Sequence, residues 1–294
     1  MKRTDARFSV FLANPHVGPG GFGENTYMPR HTRHCFERTV DEILKMDPLP
    51  GHVVIFGDLA LWSGRKEDYD ASKPAVDRLK SAGIEVAITM GNHDRREAFL
   101  DVYSGGVNKS PVPDRIVSVV DLGTCDLILL DTLWEHRRKD YPNPNDGTLD
   151  EPQQNWLAET VKAAKRPFIV GSHHKPRWLR VGKSRLWGFL GDSPHFSGYV
   201  HAETHCWDVL YWMKNWSGRR IAYELTLPSA GAWGDIGYVV CRTQESGAAV
   251  SLVQRDFYYP CPPCEGEKRP VEWARLQKRN QGQSCTFFYS ETAK

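Results

Sequence analysis

Apolar residues along this chain fall into short runs, and the runs stop at polar residues of one recurring kind. FSVFLA (8–13) halts at Asn14, with His16 two positions on. HVVIF (52–56) halts at Gly57-Asp58, IEVAITM (84–90) at Gly91-Asn92-His93-Asp94, and RPFIVGS (166–172) at His173-His174. RIVSVV (115–120) and CDLILLD (125–131) are runs of the same length. Short, β-branched runs bounded by Gly, Pro or Asp predict strands. The segments between them carry a helical period. HTRHCFERTVDEILKM (31–46) sets Phe36, Val40, Ile43 and Leu44 on one face, 71–82 sets Val76 and Leu79, and EPQQNWLAETVKAAK (151–165) sets Trp156, Leu157 and Val161. Strands alternating with helices predict an α/β fold with a mostly parallel sheet. After residue 195 the texture changes. IAYELTL (221–227), GYVVCR (237–242) and AAVSLVQRDFYY (248–259) follow one another without long helices, which predicts a more antiparallel C-terminal sheet in the same core. One domain is expected over 1–259, with a Pro-, Lys- and Arg-rich extension, 260–294, packing on it.

Charge and cysteine content narrow the function without choosing it. Of 294 residues, 38 are Lys or Arg and 36 Asp or Glu, so the net charge is +2. Nothing global draws the chain to a nucleic-acid polymer or a membrane surface. The apolar runs are far shorter than the roughly 18–20 residues of a membrane helix. The N-terminal run is strand-sized and no small-residue cleavage site follows it, so no signal peptide is expected. Seven scattered cysteines suit a reduced, cytoplasmic protein.

The strand tips carry the chemistry. In parallel α/β sheets, ligands bind beyond the carboxyl ends of the strands. Asn14, His16, Asp58, Asn92, His93 and the His173/His174 pair should therefore converge there, with Gly198-Tyr199-Val200-His201 as a further tip. One polar tip is only a turn, because Asp and Asn bond their own backbone. Several tips rich in His, Asp and Asn in one chain are a ligand set for a metal such as Zn, Mn, Fe or Ni.

The order of these motifs resembles the calcineurin-like metallophosphoesterases, whose pattern runs D-x-H, G-D, G-N-H-D, H-H-x-P, G-H-x-H. The resemblance covers roughly residues 8–205. GNHDRREAF (91–99) and GTLDEPQQNWL (147–157) are similar to the branch that includes the class III cyclic-nucleotide phosphodiesterases. The resemblance implies a four-layer α/β/β/α sandwich, one or two divalent ions (Mn, Fe, Zn or Ni), and hydrolysis of a small phosphodiester or phosphomonoester, a nucleotide among the candidates, by metal-activated water. It implies that His16, Asp58 and His201 serve a first metal, that Asp58, Asn92 and one of His173 or His174 serve a second, and that His93, oriented by Asp94, assists the leaving group. Arg96, in the same block as His93, is expected to contact substrate. The chain departs from the pattern twice: Asn14 stands at the first carboxylate, and Tyr199 at the first histidine of G-H-x-H. Asn offers a neutral oxygen, and a phenol must lose a proton with a pKa of about 10 before it coordinates. The alternative is a catalytically degenerate protein of this fold that binds a phosphorylated ligand or a protein partner.

Other features carry competing readings. Gly18-Pro19-Gly20-Gly21-Phe22-Gly23 matches G-x-G-x-x-G, but no helix opens directly after it, so a loop at the site mouth is expected rather than a dinucleotide cradle. Residues 175–194 carry Arg177, Arg180 and Arg185 interleaved with tryptophans, and read either as a solvated loop pinned by those tryptophans or as a lid whose cations meet phosphate. Cys261 and Cys264 have zinc-ligand spacing without a second pair. His205 lies four residues after His201, a spacing that shares one face only in a helix.

Overall fold

The runs are continuous rather than alternating because both faces of the strands are covered. Val10, Leu12, Val53 and Ile55 point into one apolar cluster, while Phe11, Ala13, Val54 and Phe56 point into another. The computed structural model describes residues 2–19, 27–103, 109–135, 146–214, 220–231, 234–254 and 282–289. The glycine-rich stretch over 20–23 and the cysteines Cys261 and Cys264 lie outside these residues.

Two six-stranded sheets face each other. In the first, β1 (Thr4–Leu12) is parallel to β2 (Leu49–Phe56), and β2 to β3 (Glu85–Thr89). On the other side of β1, β12 (Gly237–Gln244), β13 (Gly247–Gln254) and β14 (Ser284–Phe288) follow, each antiparallel to its neighbour. In the second sheet β5 (Asp126–Leu129), β7 (Phe168–Gly171), β9 (Phe196–His201) and β11 (Arg220–Thr226) run parallel. Antiparallel strands β4 (Ser118–Asp121) and β10 (Asp208–Lys214) close its edges. Each sheet thus has a parallel half that ends at the site and an antiparallel flank, so the C-terminal strands divide between both sheets. A small ribbon joins β6 (Gly147–Thr148) to β8 (Leu179–Val181).

Helices α1 (Tyr27–Ile43), α2 (Lys66–Ser81) and α3 (Arg96–Tyr103) cover the first sheet through Phe36, Val40, Tyr69, Val76, Leu79 and Phe99. Helices α4 (Glu151–Ala163) and α5 (Lys183–Asp192) cover the second through Leu157, Leu186 and Leu190. This is the four-layer α/β/β/α sandwich. Helix α4 starts where the sequence signals it: the Asp150 carboxylate accepts from the Gln153 N–H, and Pro152 sits in the first turn. Helix α2 begins five residues before the expected 71–82 span. No helix among the described residues is long and apolar enough to cross a membrane.

Strand β14, the antiparallel edge of the first sheet, packs against the parallel strands β9 and β11 of the second. Its Phe287 is fully buried and lies against Gly198 of β9, where an added methyl would collide with the ring. Gly198→Ala is expected to destabilise the protein by about 1–3 kcal/mol through overpacking. Phe287→Leu in the same chain should return part of the loss. Urea denaturation measures both, and an unperturbed Gly198→Ala midpoint would contradict this packing.

Candidate metal centre

The site is assembled by backbone bonds between strand tips. Past the end of β1, Asn14 N donates to Gly57 O (3.2 Å) and His16 N to Asp58 O (3.0 Å), which lays the tip of β1 against the tip of β2. Past β7, His173 O accepts from both Ala202 N (3.0 Å) and Glu203 N (3.2 Å), which fixes the segment after β9. The tips crowd closely enough that a side chain at Gly57 would stand 2.6 Å from Gly91 N. Five described non-glycine residues have positive φ, and four of them are Asn14, His16, Asp58 and His205. Backbone strain concentrates where a fold over-determines a functional geometry, so this pattern marks the cluster independently of residue type.

Asp58 sits at the centre, 2% exposed. Its Oδ1 accepts the His93 N–H (2.8 Å), while Oδ2 stands 3.4 Å from His173 Nε2 and 3.8 Å from His16 Nε2. Burial alone would raise this carboxyl, but the protonated forms that the His173, His16 and His93 imidazoles take in acid, with the His93 N–H, hold it well below the usual range. The histidines respond to the same burial. His16 is pushed down to about 4, against the pull of Asp58, and His173 is lowered for the same reason. Both are neutral at pH 7, and their tautomers follow from their partners. His16 Nδ1 faces Leu61 O (3.1 Å) and His173 Nδ1 faces Phe56 O (3.0 Å). A carbonyl only accepts, so each Nδ1 carries the proton and each Nε2 presents a lone pair.

The His173 lone pair meets acceptor oxygens. His173 Nε2 lies 2.9 Å from Asn92 Oδ1 as well as beside Asp58 Oδ2, and His16 Nε2 lies 3.5 Å from His205 Nε2. His16 and His205 stack with ring centroids 5.1 Å apart, and with Asp58 they hold three ligand atoms within 4.8 Å of one another. Electron pairs converging in a buried site repel unless a cation lies among them. The residues therefore fit divalent ions, with neutral imidazoles and hard oxygens as donors. Asn14 Oδ1 and Glu203 Oε1 are also buried with no hydrogen-bond partner. Burial pushes the Glu203 carboxyl up to about 9, with the charge of Asp58 adding to it. An open cavity of about 330 Å³ gives access, lined by His16, Asp58, Trp62, Asn92, His93, Glu203 and His205 among others.

Several sequence expectations land here and several do not. Asn14, His16, Asp58, Asn92, His93 and His173 come together. Of the His173/His174 pair, His174 turns the other way, with Nδ1 2.8 Å from Thr132 Oγ1. Tyr199 and His201 do not join. Strand residues alternate sides, and Val200 takes the inter-sheet side, so Tyr199 faces the helix layer, where its hydroxyl lies 2.8 Å from Ser172 Oγ. His201 Nε2 is held by Glu224 Oε1 (2.7 Å) and lies 3.2 Å from Thr226 Oγ1. The imidazole beside His16 comes instead from His205, brought round by a turn in which His205 N donates to Ala202 O, not by a helix. Asp94 does not orient His93. It accepts from Gly91 N, Ala60 N and the Tyr69 hydroxyl, and burial pushes it up to about 7. The Trp62 carbonyl orients His93 through Nδ1 (2.8 Å).

The basic residues are also reassigned. Arg96, buried at the start of α3, binds Asp131 through two nitrogens (2.6 and 2.8 Å) and Glu135 through a third (2.8 Å), so its guanidinium is committed to these carboxylates. Arg180 pairs with Asp146 (2.6 Å), and Arg185 lies over Phe189 on α5. Arg177 is exposed on the short 3-10 turn Pro176–Trp178. Residues 175–194 form that turn, β8 and α5, which pack on the outer face of the second sheet, so this segment is not a lid over the cavity. The reason is apolar: Leu179, Leu186 and Leu190 are buried there.

A two-sheet sandwich with His, Asp and Asn gathered at its parallel strand tips defines a metal-dependent phosphoesterase, and the comparisons with known proteins agree. Residues 30–210 match the family described as calcineurin-like phosphoesterase, and the chain belongs to that family. It is 32% identical over 255 residues to a protein from Rhodopseudomonas palustris described as a probable cyclic nucleotide phosphodiesterase, covering 85% of this chain and 82% of the relative. The crystal structure of a dimetal phosphatase from Danio rerio shares the fold, with a TM-score of 0.58 and 15% identity over 96% of this chain and 99% of the other. The protein is thus a hydrolase of the metallophosphoesterase class, a class that uses divalent metal.

Removing Arg96 separates its structural role from a ligand-binding one. Arg96→Ala leaves the Asp131 carboxylate buried and unpaired, which typically costs about 3–5 kcal/mol. Chemical denaturation should show that loss while phosphate affinity of the folded fraction stays unchanged. Weakened phosphate binding with intact stability would contradict the assignment.

Proposed function

We propose that this chain hydrolyses small nucleotide-like phosphodiesters in a metal-dependent reaction. The observation that carries the reading is the set of potential ligand atoms gathered around Asp58: His16 and His205 on one side, Asn92 and His173 on the other. His16, Asp58 and His205 would hold one divalent ion, with Asn14 beside them as a neutral oxygen donor. Asp58, Asn92 and His173 would hold the second. The donor set suits Mn, Fe, Zn or Ni. When bound, such ions supply the positive charge that draws in a phosphate group and activates water at neutral pH.

The protein groups do the rest. His93 lines the cavity, and its Nδ1 proton is committed to the Trp62 carbonyl, so Nε2 is the nitrogen that can pass a proton to a leaving oxygen. Trp62 is 53% exposed at the same cavity, with its ring 5.6 Å from that of His93. An exposed indole beside the reacting position offers a stacking face for a base. The Rhodopseudomonas palustris relative supports a phosphodiester with a nucleoside part, because its description names cyclic nucleotides.

Stripping metal with a chelator is expected to abolish hydrolysis of an aryl phosphodiester, and added Mn²⁺ to restore it. Asp58→Asn should remove metal uptake and activity together. His93→Ala should lower kcat by about 10²–10⁴-fold with metal content unchanged, and Trp62→Ala should raise KM for a cyclic nucleotide while sparing the aryl substrate. Elemental analysis with steady-state kinetics reads all of these. Full activity in the stripped chain, or in His93→Ala, would overturn the reading.

A further inference from the structure

Two divalent ions would bring four positive charges to a pocket in which Asp58 is so far the one carboxylate ligand. Asn14 contributes no charge, being an amide. Buried charge has to be matched by opposite charge at close range, so the site is short of negative charge. One more carboxylate faces the same cavity without a role in it, that of Glu203.

We propose that Glu203 is the second carboxylate of the metal centre, binding through Oε1 the ion held by Asp58, Asn92 and His173; the assignment rests on the two-ion reading of the site. Four observations carry it. Glu203 lines the cavity with Asp58 and Asn92. Its backbone N–H donates to the carbonyl of His173 (3.2 Å), which anchors its main chain beside a ligand of that ion. Its Oε2 is occupied by the Lys175 N–H (3.4 Å). Its Oε1 is buried with no hydrogen-bond partner, an acceptor left open for a cation. The same short turn, Ala202 to His205, would then serve both ions, Glu203 one and His205 the other. Asn14 Nδ2 donates to the Ala202 carbonyl (3.3 Å), so the residue that lacks a charge also braces the turn that supplies one. The negative charge has moved from the first position to the second, and the total is kept.

The test uses the full chain, stripped of metal and titrated with Mn²⁺ by calorimetry, with elemental analysis after gel filtration. Wild type should take up two ions. Glu203→Gln, which keeps shape and removes charge, should keep one and weaken the other by more than about 10-fold. Asn14→Asp in the Glu203→Gln background should tighten the retained ion without restoring the weakened one, a pattern that a merely structural role for Glu203 would not give. Unfolding of the metal-free chains checks that each variant folds. Glu203→Gln binding Mn²⁺ as tightly as wild type at every position would overturn the role of Glu203 alone. A wild-type chain that takes up no Mn²⁺ would overturn the metal centre and this assignment with it.

Discussion

The structure depends on one buried charge. Asp58 stands at the tip of β2 with three imidazoles around it and its Oδ1 bonded to the backbone of His93. A carboxylate so placed costs several kcal/mol to bury unless opposite charge or donors meet it. Backbone conformation is bent to that end: positive φ at Asn14, His16, Asp58 and His205 turns side chains from different strands toward one point. The sandwich supplies the rigidity. Strands packed on both faces cannot shift register without disrupting two apolar layers at once, so the tips are held while the strain persists.

Much of this was legible in the chain because the parallel strands are plain in sequence. FSVFLA, HVVIF and RPFIVGS stop at their functional residues, and the tips of β1, β2, β3 and β7 deliver Asn14, His16, Asp58, Asn92, His93 and His173 as their order implies. What sequence could not separate was His173 from His174, since neighbours after a strand point opposite ways and the sense depends on which face meets the other sheet. The structure resolves this through Phe56 O, which holds His173, and Thr132, which holds His174.

The departures have physical causes of the same kind. Gly198 and His201 match the G-H-x-H motif by letter, but β9 runs through His201, and strand alternation commits the Tyr199 and His201 side chains to the helix layer. The turn that follows brings Glu203 and His205 to the cavity instead, with the same two-residue spacing, four residues later. The signal was present in HAETH, but reading it as a helical spacing hid a turn. Residues 175–194 misled in another way. Their arginines and tryptophans suggested a lid, yet the buried leucines between them specify a packed helix and a strand. Arg96 looked like a phosphate contact because it follows the His93 block, and proves instead to neutralise the buried Asp131.

The central claim is that the strand tips around Asp58 form a metal centre that draws its later ligands from the turn after β9. Anomalous diffraction from crystals of the full chain grown with Mn²⁺ tests it most directly. The account predicts two peaks about 3.5–4 Å apart, one among His16, Asp58 and His205, the other among Asp58, Asn92 and His173. Peaks beside Tyr199 and His201, or no ordered metal at Asp58, would contradict it.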